Sequence, residues 1–312
     1  MRKIILVLAL LGAPLAQAKE QVWLYTSIYK EFLDSIEKAF EKKHPELDLQ
    51  VFQSGSEKIR AKVQAEQVAG KIQADVMAVS DPFWARELEK AGKALPRTKH
   101  ITEQMNYFSL MVLIAAKSLP AAERPQSFSD LTQPKYKGMI HMGSPLESGT
   151  MFSTAALLSE LYGWEYFTKL QENKMTVSGG NSTVIQKVES GEKKLGFVLL
   201  ENALASQKRG SPIDIIYPKE GGIPIPSVQI LWKDSARAAQ AQKLADFLVS
   251  KECQEILRGA WVYPALKGVK TPDGALPLEK AQGNFKWSIA TADRIAGKST
   301  EIKKKFSEIF LE

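Results

Sequence analysis

The chain has 312 residues, of which 44% are hydrophobic and 25% are charged, and its formal net charge is +7. These proportions are typical of globular proteins and exclude a disordered or fibrous chain. The basic residues are scattered among glutamates, as in Glu41-Lys42-Lys43, and form no stripe interleaved with aromatic residues, so no nucleic-acid partner is expected.

The N-terminus predicts a secretory signal peptide over residues 1–18. A short basic region precedes an apolar run at residues 4–11, and Ala16-Gln17-Ala18 has the small residues of a cleavage site. The apolar run is too short for a permanent membrane-spanning helix. No cysteine adjoins Ala18, so lipid attachment is not indicated, and we expect an exported protein located in the periplasm.

The first predicted elements of the mature chain alternate between strand and helix. Strands at 21–26, 47–52 and 74–79 are separated by segments with apolar residues at helical spacing, including Ile59, Val63 and Val68. This order is typical of a parallel sheet covered on both faces.

Polar residues follow the carboxyl end of each of these three strands, where ligands bind in open α/β sheets. The residues are Thr26, Ser27, Ser54, Ser56, Ser80 and Asp81. All of these residue types also cap helices, so each one alone has an ordinary structural explanation. Their shared edge predicts one wall of a ligand site.

The middle of the chain predicts a second α/β unit. Residues 107–116 form a long apolar run that we expect to cross between two lobes as a strand. Strands and helices then alternate from 139 to 217, after an irregular loop. Residues 220–227 predict a turn-rich stretch, because they contain glycines and prolines. A returning strand at 228–232 and a mainly helical C-terminal segment complete the chain.

Two loops of this second unit have the composition of an anion site. Ser148-Gly149-Thr150 opens one predicted helix, and a second opens about thirty residues later at a loop that contains Asn181 and Ser182. Small hydroxyl residues and glycines at a helix start leave backbone N–H groups pointing outward at the positive end of the helix dipole. Helix capping alone would explain the composition of either loop taken by itself. Two such loops in one chain indicate a ligand pocket.

The order of these elements resembles the bacterial periplasmic solute-binding proteins of ABC importers, in the group that binds ferric ion, sugar phosphates and phosphonates. The residues that carry the resemblance are 22–27, 54–56, 74–76, 130–131, 134–138, 148–150, 188–192 and 245–248. It implies the type 2 periplasmic binding fold, an α/β fold with two lobes, each a mixed sheet flanked by helices, and a ligand cleft between them.

The resemblance also implies how the chain is divided and how it works. Residues 19–115 plus about 223–312 would form lobe 1, and residues 116–222 lobe 2, with C-terminal helices that can pack on lobe 2. A hinge would close the lobes over the ligand, and the closed form would dock on an ABC permease in the inner membrane. We expect a monomer without a cofactor.

The ligand implied by the resemblance is a small anionic solute, phosphorylated or phosphonate-bearing. Relatives hold an anion at the positions that match Ser148, Gly149, Thr150 and Asn181. Ferric binders have two adjacent tyrosines where this chain has Glu201-Asn202, and these two residues are expected to contact the other end of the ligand by hydrogen bonds or by pairing Glu201 with an amine.

Two alternatives stay open from the sequence. One is a ferric-iron site formed by Tyr29, Asp81 and Glu201, because these residues could supply hard oxygen ligands. Glu201 also has a structural explanation, as an acidic residue in the first turn of a helix, where the helix dipole favours it. An exported α/β hydrolase is the other. A hydrolase would need a nucleophile paired with a general base, and the sequence shows no such pair. Of the three histidines, which are the most common general bases, only His141 lies near the predicted cleft. The chain is therefore not expected to be an enzyme.

Overall fold

A computed structural model describes residues 18–95, 105–285 and 287–311. The predicted signal peptide, residues 1–18, lies outside the described residues except for Ala18. The strands are β1 (Glu20–Thr26), β2 (Leu47–Gln53), β3 (Val76–Val79), β4 (Met105–Ala116), β5 (Ile140–Met142), β6 (Thr176–Val177), β7 (Leu195–Leu199), β8 (Ile213–Ile216), β9 (Ile223–Leu231) and β10 (Tyr263–Pro264). The helices are α1 (Lys30–Lys43), α2 (Ser56–Val68), α3 (Pro82–Lys90), α4 (Gly149–Tyr162), α5 (Trp164–Glu172), α6 (Asn181–Glu189), α7 (Leu200–Lys208), α8 (Ala238–Leu248), α9 (Lys251–Gly259), α10 (Leu278–Ala281), α11 (Ile289–Ile295) and α12 (Ser299–Phe310).

The strands form one continuous mixed sheet in the order β2-β1-β3-β9-β4-β7-β5-β6, and β8 and β10 pair with β4. A first half of three parallel strands (β1–β3) and a second half of three parallel strands (β5–β7) are joined by the antiparallel strands β4 and β9. The α/β prediction is confirmed, as is the crossing strand: β4 pairs first with β9 and then with β7 and β8. The lobes share one hydrogen-bonded sheet and do not have separate ones.

Helical spacing explains which residues of the first half are buried. Helix α1 buries Leu33, Ile36 and Phe40 against the sheet, in the same core cluster as residues of α8 and α9. The prediction that Val68 faces inward is wrong, because Val68 is 91% exposed. It lies nine residues after the buried Ile59, which at about 100° per residue places it on the opposite face of α2.

The prediction of a turn-rich stretch at 220–227 is wrong from Ile223 onward, where the buried strand β9 begins. Pro224 and Pro226 lie in this strand opposite Leu110 and Phe108 of β4. Proline is tolerated in a sheet only where its missing N–H is not needed. Over this half β9 pairs with β4 but β3 has already ended, so the two prolines can face the unpaired side.

The crossing strand β4 contains one irregularity. Its register with β9 shifts between Met105 and Tyr107, as expected of a β-bulge at Asn106. The Asn106 side chain is buried and its Oδ1 accepts a hydrogen bond from Gln229 of β9 at 2.6 Å. The bulge is therefore held in place by a buried side-chain contact.

The C-terminal helices contact both halves of the molecule. Helix α11 packs against α3, whereas α12 packs against α4 and α5, where Phe306 contacts Phe167 at a ring-centroid distance of 5.4 Å. Lys303 of α12 also pairs with Glu57 of α2 at 2.6 Å. The residue boundaries between the lobes remain a prediction. Within the described ranges, no helix combines the length and apolarity needed to cross a membrane.

Candidate functional site

The carboxyl ends of the parallel strands in both halves open onto one cavity of about 240 Å³. Eight of the thirteen residues predicted for the ligand site line it: Ser27, Ser54, Ser56, Ser80, Ser148, Gly149, Thr150 and Asn181. It is also lined by Tyr29, Gln53, Gly55, Tyr107, Ser109, Glu147, Gly180 and Leu199. The shared strand edge read from the sequence is thus a cavity wall.

Five helices place their N-cap residue on this cavity, among them α1 with Tyr29 and α7 with Leu199. Gly55, Ser148 and Gly180 are the N-cap residues of α2, α4 and α6, and all three line the cavity. The first-turn N–H groups of a helix have no intrahelical partner and carry the positive end of the dipole. No lysine or arginine is among the residues that line the cavity. Its attraction for an anion would therefore come from neutral groups.

Hydrogen bonds fix the serines of the first half. The backbone N–H of Ser80 donates to the hydroxyl oxygens of both Ser27 (3.2 Å) and Ser56 (3.1 Å). One amide thus joins the loops that follow β1 and β3 to the start of α2. Because the serine oxygens accept, their hydroxyl protons remain available to another acceptor.

Asn181 connects three helix starts in the second half. Its amide nitrogen donates to Thr150 of α4 at 3.2 Å, and its carbonyl oxygen accepts from the backbone N–H of Leu199, the N-cap of α7, at 3.1 Å. Thr150 in turn lies 3.1 Å from the hydroxyl of Ser148. Asn181 therefore holds the starts of α4, α6 and α7 together.

The two halves approach each other closely at Gly149. A β-carbon added there would lie 2.8 Å from Cβ of Ser56 and 3.5 Å from the carbonyl oxygen of Ser80. These distances are too short for any residue but glycine without a shift of the helices. The start of α4 therefore lies in close contact with the start of α2 across the cavity.

Tyr107 and Ser109 also line the cavity, and the sequence did not indicate them. Both are buried in β4, in the middle of a run that is otherwise apolar. Burial raises the pKa of Tyr107 to about 12, so its phenol stays protonated at neutral pH. Their spacing of two residues, which places both on one face of a strand, was the signal available in the sequence.

Three predicted site residues do not line the cavity, and local structure accounts for each. The Thr26 hydroxyl donates to the carbonyl of Ala78 (3.0 Å) and accepts from the N–H of Ile28 (3.1 Å). Asp81 is buried and caps α3 by accepting from the N–H of Trp84 at 3.0 Å. Ser182 is exposed on the first turn of α6. We no longer assign these three residues to the ligand.

Glu201 and Asn202 also do not line the cavity and instead border a small adjoining pocket. Tyr29 lines both spaces, and its hydroxyl donates to Asn202 Oδ1 at 2.9 Å and to Glu201 Oε1 at 3.3 Å. Ser109 donates to the same Glu201 oxygen at 2.5 Å. Burial raises the pKa of Glu201 to about 7. The carboxyl group therefore lies behind the cavity wall.

The residues suggested for iron are only partly brought together. Tyr29 contacts Glu201, but Asp81 is turned toward α3 and lies 3.8 Å from Arg60. In residues 18–95, 105–285 and 287–311, no group of three or more His, Cys, Asp or Glu is placed to hold a metal ion. Burial also raises the pKa of Tyr29 well above its usual value, which disfavours the tyrosinate that ferric iron prefers.

A larger cavity of about 460 Å³ lies at the opposite edge of the first half, where β3 begins and β9 ends. Its polar groups are occupied with one another: buried Asp75 accepts from Arg237 (2.8 Å), from the Ser235 hydroxyl (2.5 Å) and from the N–H of Trp23 (2.8 Å). This pairing is that of a structural ion pair. This cavity is the larger of the two, but the helix N-termini that line the other cavity, two of which (α2 and α6) have no side-chain cap, favour the other one as a ligand site.

The sequence matches the model of one protein family, described as bacterial extracellular solute-binding protein, over residues 22–260. A Haemophilus influenzae protein without an assigned function is 27% identical over 81% of this chain and 80% of its own length. A provisionally named 2-aminoethylphosphonate-binding periplasmic protein of Salmonella paratyphi A is 25% identical over 64% of this chain. The chain spans 65% of that protein's length.

Solved structures of periplasmic proteins share the fold over nearly the whole chain. AfuA of Actinobacillus pleuropneumoniae, solved with fructose-6-phosphate, has a TM-score of 0.81 at 20% identity and covers 94% of this chain and 99% of its own. Iron-bound HitA of Pseudomonas aeruginosa has a TM-score of 0.79 at 20% identity and covers 93% and 99%. Both are similar in fold, and their ligands differ.

Proposed function

Because the chain belongs to the bacterial extracellular solute-binding protein family, we propose that it captures a small organic phosphonate or phosphate ester. It is a periplasmic binding protein of the ABC-importer class and not an enzyme. We further propose that it acts as a monomer, closes over its ligand and delivers it to a permease in the inner membrane.

The observation that supports an anionic ligand is the convergence of helix N-termini, those of α2, α4 and α6 among them, on one cavity. Phosphonate and phosphate groups carry three strong acceptor oxygens, and the cavity offers N–H groups from α2, α4 and α6 together with hydroxyls. The name of the Salmonella relative and the sugar phosphate in AfuA are consistent with this ligand class.

Ferric iron is the less favoured candidate. HitA holds iron on a similar fold, but this chain has Glu201-Asn202 at the positions of the paired tyrosines expected of ferric binders. Tyr29 and Tyr107 line the cavity as phenols with raised pKa values. Binding iron through them would require two deprotonations that burial opposes.

Hydrolysis gains no support from the geometry of His141. This side chain is buried, and its ring nitrogens lie 2.8 Å from the Thr176 hydroxyl and 3.2 Å from the Ser178 carbonyl. Burial lowers the pKa of His141 to about 4, so it is a neutral structural residue. Neither contact involves a cavity serine.

Titration calorimetry of the mature protein, stripped of bound ligand by unfolding and refolding, tests the proposal. The panel is an alkylphosphonate, a hexose phosphate, inorganic sulfate and ferric citrate. We expect binding of a phosphonate or phosphate ester, weakened about tenfold or more by Ser148→Ala, since a hydrogen bond to a charged group is lost. Ser182→Ala, in the exposed first turn of α6, is the matched control and should bind like wild type.

The outcomes separate the candidates. Binding of ferric citrate alone would overturn the anion proposal in favour of iron. Binding of an organophosphate that is equally tight in Ser148→Ala and wild type would show that the ligand lies elsewhere. Because Ser148 also caps α4, affinities are compared at a temperature well below the melting temperature of the variant.

A further inference from the structure

We propose that Glu201, without touching the ligand, makes this receptor selective for solutes that carry a protonated amine at the end away from the phosphonate or phosphate. The inference rests on the proposed function and deepens it. It assigns Glu201 as a positioning residue that acts through the hydroxyls of Ser109 and Tyr29, both of which line the cavity.

The cavity has one set of hydroxyls whose oxygens already accept N–H donors. We call Ser27, Ser56 and Thr150 the donor cluster. Their oxygens already accept N–H donors: Ser27 and Ser56 accept from the N–H of Ser80, and Thr150 accepts from the amide of Asn181. A hydroxyl that accepts an N–H donor can turn its proton toward the acceptor oxygens of an anion beside the helix N-termini. Ser27 and Thr150 also lie 3.4 Å and 3.1 Å from the hydroxyls of Ser80 and Ser148, with which they can exchange this proton.

A second set of hydroxyls has the opposite polarity. We call Ser109 and Tyr29 the acceptor cluster. The Ser109 proton is donated to Glu201, and the Tyr29 proton is shared between Asn202 and Glu201. What these two hydroxyls can present to a ligand is therefore their oxygen lone pairs. An ammonium group, with three N–H donors and no acceptor, is complementary to such a wall.

Glu201 maintains this polarity because donors surround its carboxylate. Besides Ser109 and Tyr29, the backbone N–H groups of Leu110 and of Glu201 itself donate to it. All four hydrogen bonds stabilise the ionised carboxylate and so lower its pKa. Burial acts in the opposite direction and outweighs them, which raises the pKa of Glu201 to about 7. An ammonium next to the acceptor cluster would add an attractive charge and favour ionisation further. Glu147, an exposed residue that also lines the cavity, carries a negative charge like that of Glu201 and would also attract an ammonium group.

The experiment compares three ligands that share one anionic end. Ethylphosphonate, 2-hydroxyethylphosphonate and 2-aminoethylphosphonate are titrated into stripped wild-type protein at pH 7.5. We expect 2-aminoethylphosphonate to bind about tenfold or more tightly than ethylphosphonate, with the hydroxy compound between them. In Glu201→Gln the ratio of the first two affinities should fall to about threefold or less, while ethylphosphonate affinity changes by less than about threefold.

Ser109→Ala provides a second variant that leaves the buried charge in place, and it should lower the same ratio because one acceptor is lost. A merely structural role of Glu201 would weaken all three ligands equally, and this result would overturn the inference. Equal affinity of wild type for ethylphosphonate and 2-aminoethylphosphonate would also overturn it while leaving the proposed function intact. Failure of all three to bind would overturn the phosphonate proposal and this inference together.

Discussion

The two edges of the first half of the sheet use polar residues in opposite ways. At the edge where β3 begins, charged groups are paired with each other, as Asp75 is with Arg237 at 2.8 Å. At the edge where β3 ends, the wall is built mostly from neutral hydroxyls and helix N-termini, and the charged residue that lines it, Glu147, is exposed. Charges that satisfy each other stabilise the fold, whereas neutral dipoles left without protein partners are available to a ligand.

Breaking the ion pair between Asp75 and Arg237 should lower stability and leave ligand binding unchanged, and it is the largest effect that we expect. Arg237→Met leaves the Asp75 carboxylate buried beside two remaining donors, and we expect the free energy of unfolding to fall by about 3 kcal/mol. The affinity for 2-aminoethylphosphonate should not change. Urea denaturation and calorimetry measure the two quantities.

Lys93→Met is the control for that variant, because Lys93 lines the same cavity but is exposed. Its unfolding free energy should stay within about 0.5 kcal/mol of wild type. A loss of ligand affinity in Arg237→Met at full folding would contradict the division between a structural edge and a binding edge.

Filling the close approach at Gly149 should produce the reverse result. Gly149→Ala places a β-carbon 2.8 Å from Cβ of Ser56, and separation of the halves relieves the overlap. We expect about tenfold to a hundredfold weaker binding, equivalent to roughly 2 kcal/mol, with a smaller change in the stability of the ligand-free protein.

Gly55→Ala is the matched control, since an added β-carbon there meets nothing closer than a carbonyl oxygen at 3.9 Å. Its affinity should stay within about threefold of wild type, as measured by the same calorimetry. Equal losses in the two glycine variants would mean that closure does not depend on the contact between α4 and α2.

The buried carboxyl group of Glu201 predicts that the stability of the protein depends on pH. The folded-state pKa of Glu201 is raised to about 7 from an ordinary value of 4.5, so between these values the folded protein holds the proton more tightly than the unfolded chain. Stability should therefore decrease as pH rises through this window and level off above it, by at most about 1.4 kcal/mol per pH unit.

Glu201→Gln should remove this slope, and the difference between the two unfolding curves from pH 5 to 8 measures it. Tyr29, Tyr107 and Tyr263 face Glu201, but burial raises the pKa of each above that range. Glu31 at the same small pocket is retained in both proteins. A difference that is independent of pH would contradict the elevated pKa.

Much of the cavity wall formed by serines was predictable from the sequence, because these serines lie in the segments between a strand and the next helix. Ser54, Ser80 and Ser148 lie where a strand ends and a helix begins, and the shared carboxyl edge of parallel strands brings them together. Thr26 and Asp81 follow the same pattern but do not line the cavity. Capping and ligand binding use the same residue types, and only the coordinates show which hydroxyl or carboxylate is already bonded.

The acceptor cluster and the residues behind it were harder to predict, because their arrangement depends on contacts between distant parts of the chain. Glu201 was predicted to contact the ligand, but Ser109, 92 residues earlier, lies in between. Ser109 and Tyr107 were hidden in an apolar run whose length indicated a core strand. Strand β9 was obscured for a different reason: two prolines indicate a turn unless the strand has an unpaired side.

The two crossing strands have unequal torsional freedom, and this follows from their sequences. In β9, Pro224 and Pro226 fix φ at two positions between the halves, so this strand resists backbone rotation there. In β4 the bulge at Asn106 interrupts the regular ladder. If one half rotates against the other on ligand release, we expect β4 to absorb most of the rotation. The pivot would then be off-centre, and the cavity would open as a wedge around the stiffer strand.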